Sequence, residues 1–186
     1  MKNYFDILKG TLDTLTAFFK KLFDFIFTTK EVEKELTREE IFNIIEPTET
    51  PTQELKRLCL TNIGKDISQL EDEFGCAESV STLLKEIWPD FQKTLSTATL
   101  HKNLKADKRF KATLDLKPWS IIISPTGTGS GTRDIPNGHV GILGEGGKIY
   151  SNTSNTSKWE QNYTIQTWID RYRVKGRYPI FLFTLI

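Results

Sequence analysis

Hydrophobic residues recur at helical spacing through the first part of the chain. At 100° per residue, Phe5, Leu8, Leu12, Leu15, Phe19, Leu22, Phe23 and Ile26 fall on one face, and Lys2, Asp6, Lys9, Asp13, Lys20 and Asp24 fall opposite. That pattern predicts an amphipathic helix. Thr37 followed by Glu40 has the form of a capping box and predicts a second short helix over 38–45. Periodicity then stops at Glu46-Pro47-Thr48-Glu49-Thr50-Pro51-Thr52, where two prolines and polar residues mark a boundary. The expected organisation is a helical extension over 1–46, a linker over 47–52 and a domain over 53–186.

Helical spacing returns twice past the boundary. Leu55, Leu58 and Cys59 share a face over 54–63, with Gly64 as the stop, and Cys59 is expected in the core. Cys76, Val80, Leu83, Leu84 and Ile87 form a second stripe that ends at Trp88-Pro89. Residues 90–115 read as loop and short helix, with His101 at the surface. From Trp119 the period changes. Ser120-Ile121-Ile122-Ile123-Ser124 is a strand halted by Pro125, and residues 139–143 and 148–152 are strands flanking a glycine-rich turn. A two-residue loop, Glu145-Gly146, sets His139 directly opposite Asn152; a three-residue loop shifts the pairing by one. Thr164 caps a short helix to Tyr172, and 178–186 is a last buried strand.

Composition narrows the classes. Lys and Arg total 25 against 24 Asp and Glu, so global charge gives no case for nucleic acid. Two cysteines are too few for a disulfide framework or a cysteine zinc site, and no cofactor is implied. Charges interrupt every apolar window of bilayer length, and no uncharged core precedes a small-residue cleavage site. The expectation is synthesis in the cytoplasm without a cleavable signal. The first helix packs on the domain or on its own copies, or lies at a membrane surface. Its mixed Lys and Asp face favours packing, because surface anchors carry a basic face.

The candidate chemistry lies in three places. Cys76 falls in the first turn of its helix, where the dipole and unpaired N–H groups favour a thiolate and can stabilise an oxyanion. Gly75 leaves room for a substrate backbone beside it. Glu71, Asp72 and Glu73 act against the thiolate, so a histidine partner is needed to offset them. His139 and the opposed Asn152 supply a base and an orienting amide. The stretch Thr126-Gly127-Thr128-Gly129-Ser130-Gly131 has no following helix with a Lys, which disfavours a phosphate loop and suggests the lip of a site. Trp159, Tyr163 and Trp168 line a groove or fill the core.

Gly75-Cys76-Ala77-Glu78-Ser79-Val80, Ser124-Pro125-Thr126-Gly127, Gly138-His139-Val140-Gly141-Ile142, Ser151-Asn152 and the spaced Trp159, Asn162 and Trp168 together resemble the papain-like cell-wall hydrolases of the CHAP and NlpC type. The resemblance covers about 53–186. It implies an α+β, papain-like fold in which a cysteine-bearing helix packs on a small antiparallel sheet, here preceded by the amphipathic helix. It implies cleavage of a peptide or amide bond of peptidoglycan through an acyl-enzyme, with action at the cell wall or periplasm in a phage, lysis or non-classical export setting. By position, Cys76 would be nucleophile, His139 base and then acid, and Asn152 the orienting third member. Gly75, Glu78, Thr126 and Trp159 would contact substrate, and Gln69 is the candidate second oxyanion donor. Two rival readings stand beside this one: a thiol protease, deamidase or acyltransferase on another substrate, and an inert binding module.

Overall fold

The computed structural model describes residues 50–68, 75–129 and 131–186. The expected N-terminal helices, most of the linker, Gln69 and the acidic run 71–73 lie outside the described residues. The domain is α+β. Three helices come first: α1 (Pro51–Thr61), α2 (Gly75–Ile87) and α3 (Thr97–Ala106). Strands β1 (Phe110–Thr113), β2 (Ser120–Ser124), β3 (His139–Leu143), β4 (Lys148–Asn152) and β5 (Trp159–Thr164) follow. A single helical turn, α4 (Ile165–Trp168), runs on as a π-helix over Ile169–Lys175 before strand β6 (Phe181–Leu185). The strands form one antiparallel sheet in the order β1-β6-β2-β3-β4-β5.

Local chemistry accounts for most element ends. Thr50 caps α1 in a reciprocal box with Gln53, and Pro51 occupies its first turn, where no backbone donor is lost. The helix therefore starts three residues before the expected Glu54. Residues 50–52, expected as linker, are its cap and first turn. Thr164 caps α4 as expected from the sequence, and it does so in a similar box with Thr167. Trp159–Thr164 carries no clean alternation, and its strand was not expected.

The sheet is covered on both faces. On one, Leu55, Leu58, Cys59, Ala77, Val80, Leu84, Leu100 and Leu104 of the three helices pack against Ile121, Ile123, Val140, Ile142, Tyr150 and Trp159. On the other, Trp168, Tyr172 and Tyr178 cover Ile122, Leu143, Ile149 and Leu182. His101 belongs to the first core and not to the surface: its ring stacks on Phe181 at 4.3 Å, and burial, with the Lys105 charge adding, holds its pKa low.

The hairpin between β3 and β4 decides the site. Leu143 pairs with Ile149, the Gly144 N–H donates to the Lys148 carbonyl at 2.7 Å, and Glu145–Gly147 form a three-residue tip. Gly146 and Gly147 take positive φ of 65° and 74°, which a side chain would oppose. Of the two registers, the chain adopts the longer loop. Continued along the ladder, it sets Val140, not His139, opposite Asn152.

Candidate active site

Neighbouring residues of a strand face opposite ways, so the register divides the expected triad between two faces. Val140 and Asn152 belong to the helical face, where the Asn152 Nδ2 donates to the Ser68 and Ser79 hydroxyls at 3.1 and 3.2 Å. Its Oδ1 is buried without a hydrogen-bond partner among the described residues. His139 leans to the other face. Its ring lies nearly parallel to Tyr172, 5.5 Å and 14° away, and contacts Trp168 at 5.4 Å and Tyr163 at 5.7 Å. Asn152 makes no hydrogen bond to His139, so the expected orienting contact is absent. Instead the His139 Nε2 is 2.9 Å from the Ser151 Oγ, and Ser151 donates to the Asn162 Oδ1 at 2.8 Å. Ser151 and Asn162 were named in the sequence only within the resemblance, and neither was given a role. The three-residue loop was the signal that could have found Ser151.

Cys76 is the second residue of α2 and is 7% exposed. Burial pushes its thiol up to about 11, while backbone hydrogen bonds from Val140, Ala77 and Cys76 itself pull the other way. His139 is pushed down to about 3, chiefly by burial and further by the Arg171 charge. The resting pair is therefore a thiol and a neutral imidazole. Cys76, His139 and Asn152 nevertheless line one cleft of about 500 Å³, together with Asn162, Tyr163, Arg171 and Tyr172. The cleft lies at the strand end where the two faces meet. The π-helical turn brings Arg171 and Tyr172 to it, with the guanidinium 5.7 Å over the Tyr172 ring.

The four residues expected to touch substrate have other work. A Cβ on Gly75 would overlap the Asn152 amide, so the glycine lets that side chain lie against the start of α2. Glu78 is 3% exposed and lies 3.4 Å from the Lys93 ammonium. The Thr126 Oγ1 accepts from the Gly138 N–H at 2.8 Å and from the Thr97 hydroxyl at 3.1 Å, which fixes the approach to His139. Trp159 is fully buried and donates from Nε1 to the Cys59 carbonyl at 3.0 Å. None of Gly75, Glu78, Thr126 and Trp159 lines the cleft; residues 134–138 do, and among the described residues of the glycine-rich stretch 126–131 none does.

Two consequences can be measured on the free protein. A thiol near 11 gives Cys76 alkylation by iodoacetamide that climbs with pH from 6 towards about 11, followed by mass spectrometry of the labelled peptide. A rate already level at pH 6 would reveal a resting thiolate instead. His139, with its folded value below its ordinary 6.5, contributes stability that is fully present above 6.5 and lost as pH falls towards about 3. In acid melts over that window, His139→Gln should lose less stability than the parent; parallel curves would refute the depressed value.

No protein-family model and no curated protein matches the chain. Five chains of solved structures do. One belongs to the crystal structure of the type VI native effector–immunity complex Tae3–Tai3 from Ralstonia pickettii, with 17% identity and a TM-score of 0.49 over 74% of this chain and 100% of that one. Another is the crystal structure of Ly7917 with the hydrolyzing product of MDP, with 17% identity and a TM-score of 0.46 over 72% of this chain and 62% of that one. Neither likeness transfers a residue role.

Proposed function

We propose that the chain is a papain-like cysteine hydrolase of the CHAP and NlpC type, acting on a peptide or amide bond of peptidoglycan. The observation that carries the reaction class is the cleft itself, which is lined by both a helix-borne Cys76 and a strand-borne His139. The substrate class is supported by the motif resemblance around Cys76 and His139.

In this reading the Cys76 sulfur attacks the scissile carbonyl carbon as its proton passes to His139. The N–H groups at the start of α2 stabilise the oxyanion. Collapse of the tetrahedral intermediate breaks the C–N bond, and the imidazolium returns the proton to the leaving amine. Water, deprotonated by His139, then hydrolyses the thioester and restores the thiol. The neutral resting pair means that proton transfer accompanies substrate binding and attack.

Dye release from purified walls of several chemotypes tests the reading, with mass spectrometry of the fragments to name the bond. Release by the parent and none by Cys76→Ala supports it. No release from any wall, with turnover of a protein substrate, would replace the wall by a protein as substrate.

A further inference from the structure

We infer that Ser151 and Asn162 are positioning residues that together fill the place of a third triad member, holding His139 in its Nε2–H tautomer with Nδ1 as the basic atom. The inference rests on the reading of His139 as the base, and it assigns the orienting role that Asn152 does not perform.

Proton accounting carries the argument. Ser151 has one hydroxyl proton, and Asn162 offers it an acceptor, Oδ1, at 2.8 Å. The orientation of that amide is fixed from its other end, because Nδ2 donates to the Ser151 backbone carbonyl at 3.4 Å. Turning the amide over would set its oxygen against that carbonyl oxygen. With its proton committed to Asn162, the Ser151 oxygen can only accept, so the contact at 2.9 Å requires a proton on the His139 Nε2. Ser151 is fully buried, so water does not substitute for it. The ring plane is held by Tyr172 and Trp168. Nδ1, which has no hydrogen bond among the described residues, keeps its lone pair.

The sequence places these partners by strand geometry. Ser151 is on β4 and Asn162 on β5, two adjacent antiparallel strands, while His139 opens β3 on the far side of β4. Three strands in a row therefore contribute one residue each. Because the relay is neutral, it fixes the tautomer but stabilises an imidazolium less than a carboxylate would.

The test reads the tautomer directly by two-bond 1H–15N correlation at pH 7 on protein labelled at its two histidines, with His139→Gln to assign the signals. The parent should show His139 as a single Nε2–H tautomer. Ser151→Ala and Asn162→Ala should each give a mixture of tautomers, whereas Asn162→Asp, which still accepts the hydroxyl proton, should keep the parent pattern. In a turnover assay, Ser151→Ala should lower kcat roughly ten- to a hundredfold with KM unchanged, less than the roughly hundred- to ten-thousandfold a positioned base contributes, because the base itself is kept. An Nδ1–H tautomer in the parent, or an unaltered single tautomer in both alanine variants, overturns the relay. Should Ser151→Ala fail to fold, Asn162→Ala carries the same readout. The spectra need no substrate, so a locked tautomer without wall digestion would count against the wall hydrolase alone.

Discussion

Cys76→Ala should abolish wall digestion while leaving the domain folded. Loss of the attacking atom removes covalent catalysis altogether, and a fall of at least about four orders of magnitude is expected. The cost to folding should be small, because alanine suits a helix and only one buried sulfur is lost. Cys59→Ala is the informative companion. That thiol is fully buried beneath Trp159, burial pushes it up to about 12, and it lies outside the cleft wall. Its removal should lower the melting temperature and leave turnover intact. Dye release and thermal melts on the pair would separate the roles, and equal activity in Cys76→Ala and the parent would end the nucleophile assignment.

Trp159→Ala should cause the largest loss of stability. The ring is fully enclosed at the meeting of α1 and the edge strand β5, and its truncation leaves a void that rigid neighbours fill only in part. The expected cost is about 3–5 kcal/mol, a large share of the ~5–15 kcal/mol that holds an ordinary domain together. Trp159→Phe keeps most of the ring and strands the Cys59 carbonyl, so it should cost less, about 1–3 kcal/mol. Denaturant melts measure both. The pair also tests the contrast with a substrate contact: loss of KM with unchanged stability would return Trp159 to the groove.

The helices and the central hairpin were legible because their signals are local. The stripe from Cys76 to Ile87, the β-branched run at Ile121-Ile122-Ile123 and the Thr164 cap each depend on neighbours a few residues away, and each forms where expected. Strands β1 and β5 were missed for the opposite reason. Phe110–Thr113 alternates too briefly to register, and Trp159–Thr164 exists because β4 offers it an edge. The placement of Cys76 at a helix start and of His139 at a strand start was readable. The environment of the histidine was not. It depends on whether a hairpin loop contains two residues or three, and both lengths accommodate the same glycines. Glu78 and Thr126 were misplaced because a motif locates a residue along the chain and not the direction in which its side chain points.

That hairpin tip has a long reach. Removing one residue from Glu145–Gly147 would advance β4 by a step, turning Asn152 towards the histidine and Ser151 towards the cysteine helix. The same step would drive Ile149 and Tyr150 out of the cores they now fill, on opposite sides of the sheet. Two apolar side chains near the tip thus act as a phase lock for chemistry several residues away at the other end of the ladder. A related chain that shortened the turn would have to exchange Ile149 and Tyr150 in character before an asparagine at position 152 could serve its base.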